Sequence, residues 1–215
     1  MNKELIPAAL LIEYGGSTKD FQVNDIIFQE GSECHYYYQV KSGRVRWCNI
    51  HEDGKEFLQN LIEPGESFGE IPLFDGDPYV SSAIASEPCE IYKLPKERFH
   101  ELLEKHPEIH MNFSRLLAER LRYKFRLIKE ISHKNPEQVI ISLFDYLIKY
   151  DKNVCSECNL IKLTRQQIAD MSGLRVETVI RVIKQLEKNN TVKIIRGKVH
   201  YTNGMTEVIK ANCMN

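Results

Sequence analysis

The 215-residue sequence lacks several features that would define its class at once. No apolar run approaches the roughly 20 residues that a membrane-spanning helix needs. The stretch IPAALLI, residues 6–12, has neither a basic leader nor a small-residue cleavage site, so no secretion signal is expected. The sequence also shows no Ser-His-Asp arrangement, phosphate-binding glycine motif or paired metal-ligand spacing. These absences predict a cytoplasmic protein that has no membrane partner and is not an enzyme.

The net charge of −1 conceals an asymmetry along the chain. Residues 1–134 carry 17 Lys and Arg against 22 Asp and Glu, whereas residues 135–215 carry 12 against 8. A basic C-terminal part that follows an acidic N-terminal part indicates that the C-terminal part meets a polyanion.

Glycines punctuate the first hundred residues at intervals of 11 or 12 residues. Between them lie short strand-like runs such as HYYYQV, RVRWC and FLQNLI, separated by turn sequences such as EDGK and EPGE. Regular turns of this kind predict an antiparallel β-sandwich or β-roll over residues 1–106. The glycines, which supply the positive φ of tight turns, are Gly31, Gly43, Gly54, Gly65 and Gly76.

Residues 107–132 contain no internal Gly or Pro and predict one long helix, in a segment that we place at 107–134. Apolar residues recur there at steps of three and four on one face. Such a face either forms the seam of a dimer or lies buried along the chain's own β-roll, and the length of the pattern favours the dimer seam. The residues of this face are Phe113, Leu117, Leu121, Phe125 and Ile128.

A C-terminal domain, residues 135–215, is predicted to begin at Asn135-Pro136. Asn is a favoured N-cap and Pro a favoured first helical residue, so a new helix starts there. Near the other end of the domain, two β-like runs flank Arg196-Gly197-Lys198, which predicts a short hairpin.

The stretch LTRQQIADMSGLRVETVIRVIKQL, residues 163–186, predicts a helix-turn-helix between those two features. Thr164 and Gln167 have the spacing of a capping box, and Gly173 lies where the turn between the helices is needed. In the first helix, Ile168 and Ala169 are predicted to face inward. The second helix is predicted to bury Leu174, Val179, Ile183 and Leu186 and to expose Glu177, Arg181, Lys184 and Lys188.

The exposed stripe has the chemistry of a DNA-reading surface. Arginine can donate to guanine O6 and N7 together, and glutamate can accept from the cytosine amino group. A solvated face of mixed charge is the alternative interpretation. The second helix of a helix-turn-helix is exposed toward the major groove, which favours DNA. The hairpin adds Lys193, Arg196 and Lys198, which are suited to flanking phosphates.

Two motifs together carry a resemblance to a known family. GLRVETVIRVIKQLEKNNTVKIIRGKVHY, residues 173–201, resembles the winged helix-turn-helix of the cyclic AMP receptor protein/FNR (CRP/FNR) transcription regulators. EPGESFGEIPLF, residues 63–74, resembles the effector-domain signature of the same family. The resemblance implies an α+β fold with an N-terminal antiparallel β-roll like a cyclic-nucleotide-binding domain, a long dimerisation helix and a C-terminal winged helix-turn-helix. It also implies a bacterial homodimer that binds two-fold-symmetric double-stranded DNA, with RNA polymerase as a candidate partner.

The family's E-T-x-x-R pattern places Glu177 and Arg181 at its two base-reading positions. Val176 and Ile180 differ from the residues that the CRP and FNR groups use beside them, so the outer bases of the half-site stay open. Arg175 stands where relatives often carry a Ser or Thr N-cap, which suggests a phosphate contact instead. The DNA-backbone or flanking residues implied in this way are Thr164, Arg165, Arg175, Thr178, Lys184, Arg196 and Lys198.

The same resemblance argues against cyclic AMP as the effector. Cyclic-nucleotide binders of the family hold the phosphate with an arginine, and that position falls here on Tyr79 or Val80. A buried phosphate without this arginine loses its charge-assisted hydrogen bonds. The Thr-Ser pair that faces the purine in cyclic AMP binders of the family falls here near Tyr123-Lys124. The alternative interpretation of Gly69-Glu70 is a turn of the β-roll that is kept without binding a nucleotide. No cofactor is certain, the effector is unidentified, and the candidate pocket residues are Phe68, Gly69, Glu70, Leu73, Ser81, Ser82 and Tyr123.

Six cysteines are scattered along the chain apart from one C-x-x-C pair, Cys155 and Cys158, and reduced thiols are expected. None precedes Cys34, which excludes the N-terminal cysteine arrangement of FNR-type iron–sulfur sensors. The pair is half of a structural zinc site, which His133 or Cys213 would have to complete. Alternatively it is a dithiol switch or two unpaired surface thiols. No metal is predicted, and Cys155 and Cys158 are kept as the candidate pair.

Two further functions stay open beside that of a DNA-binding regulator with an unidentified effector. In one, the β-roll is a nucleotide-sensing module that regulates a partner protein. In the other, the chain is a thiol-based, redox-responsive regulator that uses Cys155 and Cys158. A pure sensor has no use for an exposed Glu177, Arg181 and Lys184, which favours the DNA-binding function.

Overall fold

The chain forms two compact units that divide between Glu119 and Arg120. The computed structural model describes residues 4–52, 54–155 and 157–202. None of the helices within those ranges combines the length and the hydropathy needed to cross a membrane.

Two four-stranded antiparallel sheets make up most of the first unit, with strand orders β1-β8-β3-β6 and β2-β7-β4-β5. Both sheets contribute to a single apolar core, so the predicted β-roll is confirmed. In chain order the elements are α1 (Ala8–Glu13), β1 (Ser17–Phe21), β2 (Ile26–Phe28), β3 (Tyr36–Ser42), β4 (Val45–Ile50), β5 (Glu56–Ile62), β6 (Ser67–Phe68), α2 (Ile71–Asp75), β7 (Ser82–Ala85), β8 (Cys89–Pro95) and α3 (Lys96–Lys105).

Gly69, between β6 and α2, is required both by its backbone and by its neighbours. Its φ of 68° lies in the left-handed region, and a Cβ added there would overlap the ring of Phe28. Gly76, at the end of α2, has a similar φ of 80°, but a Cβ there would meet nothing within 4 Å. A substitution at Gly76 therefore introduces backbone strain alone, whereas a substitution at Gly69 introduces both backbone strain and steric overlap.

Gly69→Ala is expected to destabilise the protein by about 1–3 kcal/mol more than Gly76→Ala. Both changes carry the cost of about 1–2 kcal/mol for a left-handed residue with a Cβ, but only the first also displaces the Phe28 ring from the packed core. Urea unfolding of the two variants measures the difference. Equal losses of stability would show that the core yields around Gly69 at no cost.

The long helix α4 spans Pro107–Ser132, as the sequence predicts. The predicted seam is wrong in its first half, because Phe113 is fully buried against Tyr37 and Phe99 and Leu117 is half-buried. Leu121, Phe125 and Ile128 are 55%, 64% and 62% exposed, which agrees with the prediction for the second half. The exposed positions that precede them at alternating steps of three and four are Met111, Ser114 and Ala118.

Among the described residues, the second unit contains the second half of α4, three further helices and one small antiparallel sheet of order β11-β12-β10-β9. Asn135 caps the helix that follows α4 as predicted, since its side-chain oxygen accepts from the amides of Glu137 and Gln138 at 3.2 and 3.3 Å. The elements that follow α4 are α5 (Pro136–Lys149), β9 (Val154–Cys155), β10 (Leu160–Ile161), α6 (Arg165–Ser172), α7 (Val176–Lys188), β11 (Val192–Ile195) and β12 (Lys198–Tyr201).

Candidate nucleic-acid interface

Helix α6 begins with the predicted capping box. The Thr164 hydroxyl accepts from the Gln167 amide at 3.1 Å, and the Gln167 side-chain oxygen accepts from the Thr164 amide at 2.8 Å. Two backbone donors that the helix start would otherwise leave unpaired are thereby satisfied. Ile168 and Ala169 are buried one turn later, so the box fixes the helix on its apolar face.

Thr164→Ala is expected to lower the free energy of unfolding by about 1 kcal/mol, because the Gln167 amide loses its acceptor. Thr164→Ser keeps the hydroxyl and is the matched control, with an expected change of a few tenths of a kcal/mol. Chemical denaturation of both variants measures the cap. If the two variants lost the same stability, the hydroxyl would not be the stabilising group.

The turn between α6 and α7 forms at Gly173. Its φ of 68° is left-handed, and its amide donates to the Ala169 carbonyl. Leu174 was predicted to belong to the buried face of the second helix, but it precedes α7 and is only half-buried. The buried face of α7 consists of Val179, Val182, Ile183 and Leu186.

The opposite face of α7 is exposed and polar. Glu177, Arg181, Lys184 and Lys188 all lie on it, as predicted. Within the described ranges, no hydrogen bond or ion pair engages the side chains of Glu177 or Arg181. Both groups are therefore available to an external partner without first breaking an internal contact.

The first turn of α7 adds Arg175 and Thr178 to this surface. Arg175 is the N-cap residue, and its side chain makes no capping hydrogen bond. It is exposed, and Thr178 is half-buried. The arginine head group beside the unpaired amides of the helix start is an arrangement suited to a phosphate.

The hairpin of β11 and β12, which we call the wing, lies beside the start of α6. It turns at Arg196 and Gly197, both at positive φ (49° and 78°), which is the geometry of a two-residue type I′ turn. Arg196 and Lys198 are exposed, and Lys198 is the first residue of β12. The guanidinium of Arg165 donates to the Gly197 carbonyl at 3.3 Å. Arg165 thus holds the wing turn to the helix-turn-helix in addition to presenting charge.

The candidate effector residues of the first unit are buried together in the β-roll. Phe68, Glu70, Leu73, Ser81 and Ser82 all belong to the interior. The Ser82 hydroxyl accepts from the Glu30 amide at 2.9 Å. The Ser81 hydroxyl oxygen is buried and has no hydrogen-bond partner among the described residues. This arrangement offers hydroxyls but no cation.

Phe28 and Tyr79 fill the space beside Gly69, which the sequence did not predict. Their rings stack with centroids 3.8 Å apart, and the Tyr79 hydroxyl donates to the Cys34 sulfur at 3.1 Å. Val80, the other position expected for the family's arginine, is exposed. Burial raises the pKa of the Tyr79 hydroxyl above its usual range, so this residue carries no charge near neutral pH. Neither position brings a charge to Gly69-Glu70.

Tyr123, the last candidate pocket residue, belongs to the second unit. Its ring stacks on that of Tyr146 with centroids 4.0 Å apart. Its hydroxyl is buried and has no hydrogen-bond partner among the described residues. Its own surroundings are therefore those of a packed helix–helix contact, between α4 and α5.

Cys155 and Cys158 occupy different environments. Cys155 ends β9 and is half-buried, whereas Cys158 is buried, so the interpretation as two surface thiols is wrong for Cys158. Within residues 4–52, 54–155 and 157–202, no three His, Cys, Asp or Glu residues converge as metal ligands. Cys213 lies outside these residues.

Comparison with known proteins matches both units. Residues 18–106 match the cyclic nucleotide-binding domain, and residues 142–203 match the Crp-like helix-turn-helix domain. The pair defines a DNA-binding transcription regulator with a cyclic-nucleotide-binding-type domain. The chain belongs to the CRP/FNR family of transcription regulators.

Relatives of known name cover most of the chain. The cAMP-activated global transcriptional regulator CRP of Pasteurella multocida is 30% identical over 168 residues, which are 77% of this chain and 80% of the relative. The cyclic AMP receptor protein of Thermus thermophilus is 30% identical over 173 residues, 80% of this chain and 78% of the relative.

Solved structures show the same fold. The catabolite activator protein of Thermus thermophilus is 27% identical with a TM-score of 0.54, covering 91% of this chain and 89% of that one. The c-di-GMP responsive regulator CLP of Xanthomonas campestris is 21% identical with a TM-score of 0.67, covering 90% and 98%.

Proposed function

We propose that the protein is a homodimeric regulator whose two α7 helices enter successive major grooves of a two-fold-symmetric DNA site. Glu177 and Arg181 bind a G·C pair in each half-site, with the arginine on guanine and the glutamate on the cytosine amino group. The observation that carries this function is the exposed stripe on α7, in which neither group is engaged within the described residues. The cytoplasm is the expected location.

The phosphate contacts of the proposed complex come from both sides of α7. They fix the register of the recognition helix on the duplex and are independent of sequence. The exposed cations of the wing and of α7 supply charge, and Arg165 supplies position through its bond to the wing turn. The proposed contact residues are Thr164, Arg165, Arg175, Thr178, Lys184, Arg196 and Lys198.

The second half of α4 supports the homodimer. Leu121, Phe125 and Ile128 are exposed apolar side chains at the spacing of a coiled-coil seam. Such a stripe is costly to leave in water, and a second copy of the same helix covers it with the same residues. In chain order, we propose a β-roll, 1–106, a long dimerisation helix, 107–134, and a DNA-binding domain, 135–215.

The effector of the β-roll is proposed to be something other than cyclic AMP. Where the family's arginine is expected, Tyr79 is buried and uncharged and Val80 is exposed. A cyclic phosphate buried beside Gly69-Glu70 would lack charge-assisted hydrogen bonds from these two positions. A ligand that does bind acts by shifting the population of dimer arrangements toward the one that fits DNA.

Binding of labelled duplex DNA by the full-length protein tests this function. The affinity is expected to fall about a thousandfold or more between 50 and 200 mM salt, because several phosphate contacts release counterions. Added cyclic AMP is expected to leave the affinity unchanged. Salt-independent binding would instead favour the β-roll as a sensing module for a partner protein, as would a failure of both the full-length protein and residues 135–215 alone to bind DNA.

The redox alternative is tested in the same assay. Burial shields the Cys158 thiol from oxidants, so mild oxidation is expected to leave DNA affinity unchanged. A change on oxidation that disappears in the Cys155→Ser variant would establish a thiol-based regulator.

A further inference from the structure

Ile180 interrupts the polar surface of the recognition helix. Among residues 164–188, all of which the structure describes, it is the large apolar side chain left exposed, with 41% of its surface accessible. A single exposed isoleucine needs no explanation on an ordinary surface. This one, however, lies in the segment of α7 that we assign to base reading, between Glu177 and Arg181.

Helix geometry places Ile180 at the edge of the base-reading stripe. Residues three and four apart are neighbours on a helix surface, so Ile180 lies beside both Glu177 and Lys184. Buried Ile183 is its neighbour on the other flank, so Ile180 lies at the border between the buried face and the polar stripe, with 41% of its surface still accessible. When Glu177 and Arg181 reach base edges, the Ile180 side chain is therefore brought to the neighbouring base pair.

The major groove offers one apolar group to such a side chain, the C5 methyl of thymine. We propose that Ile180 contacts a thymine methyl beside the G·C pair in each half-site, so that a T·A pair is fixed there. Cytosine at that position would lose the water that hydrates its amino group. The Ile180 side chain could not replace that water, because it neither accepts nor donates a hydrogen bond. The inference rests on the proposed function, because it requires α7 to lie in the major groove.

Deoxyuridine in place of thymine tests the contact, since it removes the methyl group and leaves the base pair intact. The probe is the duplex that the full-length protein selects from random DNA. The thymine positions of the half-site are replaced one at a time, and each replacement is made in both half-sites of the duplex. For the parent, one position is expected to lose affinity by about fourfold per half-site, the value for one buried methyl group. Ile180→Ala is expected to bind the thymine and deoxyuridine duplexes equally.

Two control variants assign the contact. Val176→Ala changes the other apolar side chain at the start of α7 and is expected to keep the parent's sensitivity to the methyl group. Ile12→Ala removes an isoleucine of similar exposure from α1 in the first unit and is expected to do the same.

The inference is overturned if no deoxyuridine weakens binding by the parent, or if Ile180→Ala remains as sensitive as the parent. Loss of sensitivity in Val176→Ala alone would also overturn it, by moving the contact to that residue. A selected site with the G·C pair but no thymine beside it overturns the inference and leaves the proposed function intact. Failure to select any two-fold site overturns both.

Discussion

Phe125→Asp is expected to convert the proposed dimer into a monomer and to abolish binding to the proposed two-fold site. Phe125 is the most exposed of the three apolar residues in the second half of α4. In a two-fold dimer each substitution acts twice, so two buried phenylalanine contacts, about 3–6 kcal/mol together, are lost. The two carboxylates would also face each other in the seam. The dimer dissociation constant should rise by about two to four orders of magnitude.

Light scattering after size exclusion, together with DNA binding, measures this effect. Because the Phe125 side chain is exposed within one chain, the variant should retain its circular dichroism spectrum. Arg126→Asp is the control, since it introduces an acidic residue at the next position of the same helix, which is also exposed but lies off the stripe. A Phe125→Asp protein that remained a dimer and bound DNA as the parent does would show that the stripe is not the seam.

Arg181→Ala is expected to lower the preference for the G·C pair by about 1–3 kcal/mol, or about 5- to 150-fold. Arg181 is exposed and engaged by no hydrogen bond or ion pair among the described residues, so its removal leaves the fold and the free surface intact. The loss should fall on one base pair of the half-site. Affinity for unrelated duplexes should change far less, because phosphate contacts elsewhere provide it.

Competition between the selected site and sites mutated at that pair measures the preference. Gln185→Ala is the control, one turn further along α7 and exposed, with its amide donating to Asn189 at 3.4 Å. A uniform loss of affinity for every duplex would instead make Arg181 a phosphate contact. An unchanged preference would remove Arg181 from the base-reading set.

The features that could be predicted from sequence are those fixed by local chemistry. The Thr164–Gln167 capping box and the Asn135 N-cap depend on residues within three positions of each other, and both formed as expected. Gly173 ends α6 in the left-handed conformation for the same local reason. The exposed face of α7 followed from helical periodicity, because its buried residues repeat regularly.

The phase of the α4 seam could not be predicted in the same way. Phe113 and Phe125 are equally apolar, yet one is buried by Tyr37 and Phe99 of its own unit while the other is exposed. Apolar periodicity shows that a face is covered, but it does not show by what. The small residues Ser114 and Ala118 continue the exposed positions and carry no hydrophobic signal.

The side-chain contacts inside the β-roll also could not be predicted from the sequence. The stacking of Phe28 on Tyr79 joins residues 51 positions apart, across a sheet whose register local patterns do not specify. The sequence indicated that the family's arginine is missing at Tyr79 or Val80. It did not indicate that Tyr79 turns into the core and bonds to Cys34. The burial of Cys158 was missed for the same reason, since a polar loop sequence gave no sign of it.

Selection of binding sites from random duplex DNA by the full-length protein tests whether paired α7 helices read a two-fold-symmetric site. The expected result is an inverted repeat with one G·C pair in each half and half-sites whose centres lie about 34 Å apart, one turn of the duplex. Enrichment of single, asymmetric motifs would contradict the homodimer. No enrichment of any sequence, either by the full-length protein or by residues 135–215 alone, would contradict the assignment of α7 as a DNA-reading helix.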